Sequence, residues 1–201
     1  MKTFSILLFI VGALFLAVQL YTVFSIIRIE KQPYRVVESK SGYEIRYYPS
    51  VKVAKINSPA DTYKGISRTG FQKLASYIFG GNEENQKIAM TSPVEMEIND
   101  TASSMKFVMP KIYATKTLPN PNNNDIILEN SEEEYVAALR FRGLVNDQIL
   151  EKKKGELSKM LKQQKLQTRG SFRYLGYNPP YQLFGRRNEV IVRIDFKEKK
   201  M

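Results

Sequence analysis

Residues 70–98, GFQKLASYIFGGNEENQKIAMTSPVEMEI, contain the pattern that decides the fold class of this chain. The first part continues a helical pattern, because apolar residues recur three and four positions apart on one face. These residues are Ile66, Gly70, Leu74, Tyr77 and Ile78. Gly80 and Gly81 can take the positive φ angles with which helices commonly end. Residues 94–98 then alternate apolar side chains with glutamates, which is the period of a half-buried strand. The stretch therefore predicts a helix, a sharp stop and a strand.

Two similar groups of predicted elements follow one another after residue 34, on either side of a Pro/Asn-rich connector at 118–125. Ser58, Pro59 and Asp61 form a helix-start pattern in the first group, and Asn146 can cap a helix in the second. The predicted strands that flank these helices cover 43–48, 51–57, 88–98, 105–112, 126–129, 135–142, 172–177 and 189–196. We therefore predict an α+β fold of tandem β-β-α-β-β units, each of about eighty residues. The two units share one antiparallel sheet, curved or closed, with two helices packed on it.

The composition excludes several classes of site. The 201 residues include no cysteine and no histidine, which excludes a disulfide, a thiol nucleophile and a His-ligated metal. The net charge of +11 favours anionic neighbours such as lipid head groups, nucleic acid or carboxylate ligands. The basic stretch 152–169 lacks the interleaved aromatic residues of a nucleic-acid site, so we predict no nucleic-acid partner.

Residues 4–27 form an uncharged run, FSILLFIVGALFLAVQLYTVFSII, at the start of the chain. As a helix the run would extend about 36 Å, enough to cross hydrocarbon about 30 Å thick. It is longer than the core of a signal peptide, and its far end is bulky where cleavage sites are small. We therefore predict that residues 1–28 are an uncleaved, single-pass transmembrane anchor and that the protein is located at a membrane. Basic residues after the run favour a cytoplasmic domain, but an N-terminal lysine before it is equally typical of exported proteins, so the side stays open.

Seven short stretches resemble the SOUL/haem-binding protein family, in the order in which that family carries them. They are YEIRYYP from 43, GFQKLASYIFGGN from 70, KIAMTSPV from 87, FVMP from 107, LPNPN from 118, VAALRFRG from 136 and YNPP…GRRNEV between 177 and 190. The resemblance covers nearly everything outside the anchor, so we place a SOUL-like haem-binding domain at 34–197. It implies a twisted antiparallel barrel with two flanking helices, and non-covalent binding of haem or another tetrapyrrole in a shallow apolar site.

The resemblance places that ligand against a strip of the first domain helix and a facing loop. The implied binding residues are Arg68, Phe71, Gln72, Ala75 and Tyr77 on the helix, and Tyr177, Tyr181 and Gln182 on the loop. Apolar side chains suit a flat macrocycle, and Arg68 can pair with a propionate. Thr69 competes with Arg68 for the basic position, and the strip could equally be the solvated face of the helix. Asn188 and Glu189 are expected to tie the loop to the barrel through hydrogen bonds.

Without histidine, haem iron has three candidate protein ligands in this chain, Tyr77, Tyr181 and Met90. Otherwise the macrocycle is held without an axial protein ligand, by apolar contact and propionate pairing. We therefore predict a membrane-tethered carrier or buffer and not an enzyme. Two alternatives stay open, an effector-binding module for apolar cations and a small-molecule hydrolase. Both would use a pocket glutamate, Glu95 or Glu97, which share one face of a strand.

Overall fold

The computed structural model describes residues 2–27, 29–99 and 102–198, and within the first helix it leaves out the side chains at 2, 5, 20 and 22–27. The helices are α1 Lys2–Ile27, α2 Tyr63–Ile78 and α3 Asp147–Gln163. The strands are β1 Glu30–Lys31, β2 Arg35–Ser39, β3 Glu44–Tyr48, β4 Lys52–Ser58, β5 Thr91–Ser92, β6 Val94–Glu97, β7 Ser103–Val108, β8 Ile126–Asn130, β9 Glu134–Phe141, β10 Thr168–Gly176 and β11 Asn188–Ile194.

Nine of these strands form one antiparallel sheet in the order β2-β3-β9-β11-β10-β6-β7-β4-β8. The two remaining strands, β1 and β5, form a separate parallel pair. Because β2 and β8 lie at the two ends of the order and do not pair with each other, the sheet is open. The α+β class and the antiparallel sheet are confirmed, and the closed-barrel form of the prediction is wrong.

The duplicated order of elements is visible in the sheet as two exchanged units. The first unit is β3-β4-α2-β6-β7, and the second is β8-β9-α3-β10-β11. In each unit the first strand pairs with the second strand of the other unit, β3 with β9 and β8 with β4. The units also meet where β10 pairs with β6. On each side of that junction, the third, fourth and second strands of one unit are followed by the first strand of the other unit. The exchange gives the two units one shared sheet.

Helix α2 packs on this sheet through the apolar stripe that the sequence predicts. Its buried residues are Ile66, Gly70, Leu74, Tyr77 and Ile78. Gly70 faces β7, since a Cβ at this position would lie in van der Waals contact with the Cβ of Met105, 3.4 Å away. The helix stops as predicted, with Ile78 as its last residue and Gly80 at φ +111°.

The start of α2 differs from the prediction. Its N-cap is Thr62, whose hydroxyl accepts a hydrogen bond from the Gly65 N–H at 3.2 Å. Ser58 is not the cap, because β4 continues through Ser58, which pairs with Ser103 on β7. In the second unit the predicted cap is confirmed, since the Asn146 side chain accepts from the Ile149 N–H at 2.9 Å.

The predicted strands 88–98 and 105–112 are shorter in the structure. The first is divided into β5 and β6 at Pro93, which has no N–H to donate to a ladder. The second ends at Val108, and Lys111–Ala114 forms a 3-10 turn.

Helix α1 exposes apolar side chains on all of its described sides. Five consecutive residues, 7–11, are all exposed, and consecutive positions of a helix point in all directions around its axis. Across the residues that the structure describes, no helix is long and apolar enough to cross a membrane. The predicted transmembrane anchor therefore lacks support, and the side chains at its far end, 22–27, lie outside the described ones.

Candidate functional site

The outer face of α2 carries four of the five helix residues that the resemblance selects. Arg68, Phe71 and Gln72 are exposed, and Ala75 is half-buried beside them. They occupy this face because the opposite face is the buried stripe that packs on β4 and β7. We call Arg68, Phe71, Gln72 and Ala75 the α2 strip.

The α2 strip combines an anchored aromatic ring with a cation that has no ionic partner in the described part of the chain. Phe71 is 37% exposed, and its ring meets the buried ring of Phe107 edge-on at 5.4 Å, which fixes its position. Among the described residues, Arg68 makes no ion pair and no side-chain hydrogen bond, so its guanidinium is available. Thr69 is less available, because its hydroxyl donates to the Gly65 carbonyl at 2.9 Å. Of the two candidates for the basic position, Arg68 therefore suits a ligand better.

Tyr77, the fifth predicted helix residue, belongs to the core. Its ring is fully buried, and its hydroxyl donates to the Pro119 carbonyl in the connector at 2.9 Å. Burial raises the pKa of Tyr77 to about 12. In this conformation the residue neither reaches the α2 strip nor offers a tyrosinate to iron.

The predicted loop residues all lie in the turn at 177–185, which connects β10 to β11 and which we call the site loop. Tyr177 is buried on the face of the sheet opposite α2 and α3, and Gln182 is buried within the loop. Tyr181 is 63% exposed. Of these three residues, only Tyr181 exposes its side chain at the surface.

The α2 strip lies on the helix that follows β4, whereas the site loop connects β10 to β11. Near the base of the two regions, Tyr63 of α2 meets Tyr174 of β10 edge-on at 5.5 Å. No hydrogen bond, ion pair or ring contact of the described residues joins the strip to the loop.

A buried ionic network holds the base of the site loop, as expected for Glu189. This carboxylate accepts from Arg46 at 2.7 and 3.1 Å, from Arg187 at 2.8 and 2.9 Å, and from the Tyr177 hydroxyl at 2.9 Å. Burial alone would raise the pKa of Glu189, but the hydrogen bonds and charges of the two arginines outweigh it and lower the pKa. Asn188 donates to the Gly143 carbonyl at 2.8 Å. These hydrogen bonds tie the loop to β3, to β11 and to the turn that follows β9.

The glutamates of the alternative functions are already engaged within the protein. Glu95 lies within 3.2 Å of Lys106 and 3.5 Å of Arg173. Burial opposes ionisation of Glu95, but the charges of Arg173 and Lys106 lower its pKa. Glu97 accepts from the Asn99 side chain at 2.9 Å. A carboxylate neutralised by two cations is poorly suited to attract a cationic effector or to donate a proton.

The iron-ligand candidates also differ in access. In the described part of the chain no group of three or more His, Cys, Asp or Glu side chains could hold a metal ion. Met90 is half-buried against the core, and Tyr77 is enclosed. Tyr181 is the accessible one of the three candidates, and it stands on the site loop, away from the α2 strip.

An open cavity of about 480 Å³, which no sequence pattern predicts, lies at the β1–β5 pair. Its floor includes Val51, Val108 and Met109, and Lys31 and Lys111 stand at its rim. The volume is within the range of small-ligand pockets. Its lining comes from five separate parts of the chain, so no local sequence pattern could have revealed it.

Taken together, the fold and the site define a small α+β domain with an apolar, cationic strip on one helix. The sequence model described as "SOUL heme-binding protein" matches residues 29–193. The chain belongs to that family.

Two heme-binding proteins of vertebrates are similar in sequence to most of this chain. Heme-binding protein 2 of Mus musculus is 29% identical over 167 residues, covering 80% of this chain and 82% of the mouse protein. Heme-binding protein 1 of Xenopus laevis is 25% identical over 157 residues, covering 74% of this chain and 82% of the frog protein.

Solved structures share the fold at low sequence identity. The C-terminal domain of EcmrR aligns with a TM-score of 0.61 at 8% identity, covering 82% of this chain and 99% of that domain. A hydrolase from Listeria innocua aligns with a TM-score of 0.52 at 10% identity, covering 79% and 94%. At such identities the likeness concerns the fold alone.

Proposed function

We propose that this chain binds haem or another tetrapyrrole non-covalently on the α2 strip. Membership of a family described as heme-binding supports the ligand class. The observation that carries the location is the exposed Arg68, which has no ionic partner among the described residues, next to Phe71, a ring held in place but still 37% exposed. An apolar surface beside a free cation suits a flat macrocycle that carries propionates.

The residues of the strip have distinct tasks in this proposal. Phe71 and Ala75 contact the face of the macrocycle, and each Å² of apolar surface that they cover contributes about 25 cal/mol. Arg68 pairs with a propionate, and Gln72 offers a further hydrogen bond to it. Haem iron supplies redox chemistry when bound, but the strip itself only holds and orients the ring. The chain therefore acts as a carrier or buffer and not as an enzyme.

The proposal includes no axial bond from the protein to iron. The chain has no histidine or cysteine, Tyr77 is buried, and Met90 packs against the core. Contact area and one propionate pair give a modest, reversible affinity, which suits transfer of the ligand to another site.

We also propose that α1 attaches the domain to a membrane. The support is the exposure of apolar side chains around the described part of the helix, from Phe4 to Val18. A helix that is apolar on every side needs apolar surroundings. Flotation of the full chain with lipid vesicles tests the attachment, and a protein that stays at the bottom of the gradient would contradict it.

The function itself is tested by titrating the full chain with hemin and with metal-free protoporphyrin, followed by absorbance and by porphyrin fluorescence. We expect the two dissociation constants to agree within about tenfold, because no axial bond is lost without iron. Tight binding of hemin without binding of protoporphyrin would replace this account with a protein–iron bond. Failure of both ligands to bind would refute the proposed function.

The location is tested with variants of the strip in the same titration. If Arg68→Ala and Phe71→Ala both bind as wild type does, the ligand lies elsewhere. The cavity between Lys31 and Lys111 would then be the second candidate, and Lys111→Ala would be the variant to measure.

A further inference from the structure

The one strongly polar side chain in the apolar run of α1 contacts the site loop. Gln19 donates from its Nε2 to the Tyr181 carbonyl at 3.3 Å and accepts at its Oε1 from the Leu183 N–H at 3.2 Å. The amide thus pairs with two backbone groups of the loop, and only 8% of the residue is exposed. These bonds hold α1, at the position of Gln19, beside residues 181–184, which we call the tip of the site loop.

The site loop is held by hydrogen bonds within it and by Arg186, the residue that follows it. The Arg186 guanidinium donates to the carbonyls of Pro179 at 2.9 Å and Gln182 at 2.7 Å. The Gln182 side chain accepts from Asn178 at 3.0 Å and donates to the Phe184 carbonyl at 2.7 Å. With its polar groups turned inward, the loop presents apolar side chains outward.

These outward side chains are Tyr181, Leu183 and Phe184, which are 63%, 46% and 63% exposed. An ordered loop that exposes three neighbouring large apolar side chains is typical of a surface that another apolar phase covers. Gln19, Gln182 and Arg186 pair with five backbone groups of the loop, at Pro179, Tyr181, Gln182, Leu183 and Phe184, so these groups need no hydrogen bond from water.

We propose that the tip of the site loop lies in the membrane interface beside α1. This inference rests on the proposed attachment of α1 to a membrane. Gln19 lies eight residues before the end of α1 at Ile27, which is about 12 Å along a helix. The tip is therefore level with the apolar part of α1 and not with its end. Whether α1 lies along the bilayer or enters it, Leu183 and Phe184 continue the apolar surface of the helix.

Lipid fits this surface better than a second copy of the chain or a soluble partner. The loop surface adjoins a helix whose described apolar side chains point in all directions, and only a surrounding apolar phase covers both at once. The excess of basic residues, +11 overall, also favours an anionic lipid surface.

The experiment uses the absence of tryptophan from the chain. Phe184→Trp and Phe79→Trp each introduce a single indole at a site of nearly equal exposure, 63% and 64%. Phe79 is the C-cap of α2, outside the site loop, and serves as the matched control. Both full-length variants are bound to vesicles of phosphatidylcholine and phosphatidylglycerol, and attachment is confirmed by flotation.

With vesicles whose acyl chains carry bromine, we expect at least twofold quenching of F184W fluorescence, a blue shift and protection from aqueous iodide. F79W should show none of these changes. If F184W floats with the vesicles but behaves like F79W, the loop faces water and the inference is wrong, while the attachment through α1 stands. If neither variant floats, the attachment and this inference both fail, and the hemin titration still tests tetrapyrrole binding separately.

Discussion

Replacing Glu189 with glutamine should destabilise the domain strongly, because the carboxylate is the centre of a buried network. Its partners include Arg46, only 2% exposed, with oxygen–nitrogen distances of 2.7 and 3.1 Å. Glutamine keeps the shape and one carbonyl acceptor but removes the negative charge. Arg46 would then be a buried cation with only Glu44, which is partly exposed, as its ionic partner.

The magnitude follows from this geometry. Breaking a buried ion pair by removing one partner costs about 3–5 kcal/mol. The glutamine side chain can still accept some of the hydrogen bonds that Glu189 accepts. We therefore expect the free energy of unfolding to fall by about 3 kcal/mol, the lower end of that range. For a chain of this size the melting temperature should fall by roughly 6–12 °C.

The loss of unfolding free energy in E189Q should also depend on pH, and it should be smaller at low pH. The pKa of Glu189 is lowered from about 4.5 on folding. The stability that its charge contributes is therefore fully present above that value and is lost as the pH falls through the lower, folded-state pKa. Urea unfolding of wild type and E189Q should give a large difference near pH 7, and this difference should shrink below about pH 4.

The matched control is Glu132→Gln on the surface. Glu132 pairs with Arg193 at 2.6 Å, but its side chain is 78% exposed, so the expected cost is below about 1 kcal/mol. If E189Q is no more costly than E132Q, or if its cost is the same at both pH values, the ionic account of this network is refuted.

Three further predictions concern α2. Arg68→Ala should weaken tetrapyrrole binding by about 1 kcal/mol, or roughly fivefold. The control is Lys73→Ala, which removes another cation from the same helix and should leave the dissociation constant unchanged. Equal losses in the two variants would show that only overall charge matters. Phe71→Ala should weaken binding at least as much through lost contact area, about 1 kcal/mol or more, as measured by hemin titration, and an unchanged affinity would move the ligand off the strip. Tyr77→Phe should lower the free energy of unfolding by about 1 kcal/mol, since the Tyr77 hydroxyl donates to the Pro119 carbonyl. The same variant should not change ligand affinity. A loss of affinity with unchanged stability would mean that Tyr77 contacts the ligand.

The sequence predicts the elements of this fold well, because their signals are local. The apolar stripe of α2, its stop at Gly80 and the Asn146 cap all depend on neighbours within a few residues. The pairing of strands depends on contacts between distant residues, and neither the strand exchange nor the open edges leave a local signal. The predicted start of α2 is wrong for the same reason, since the pairing of Ser58 with Ser103 extends β4 through the apparent cap.

The candidate site could be predicted in part. Arg68, Phe71 and Gln72 are exposed as the helical period requires. The helical period places Tyr77 in the buried stripe, whereas the family resemblance places it in the binding strip, and the structure agrees with the period. The enclosure of Tyr177 and Gln182 depends on Glu189 and on hydrogen bonds within the site loop, which no spacing in the sequence indicates.

The exchange of first strands between the two units has a consequence for how this chain can be divided. The pattern is that of a domain-swapped homodimer whose two copies have been fused through the connector at 118–125. Neither half alone can complete its own sheet, because β4 would lose β8 and β3 would lose β9. A chain truncated at the connector would therefore expose strand edges and aggregate. The two halves expressed together would restore each other's missing strands, so the connector sets the local concentration of the halves and their pairing holds the domain together.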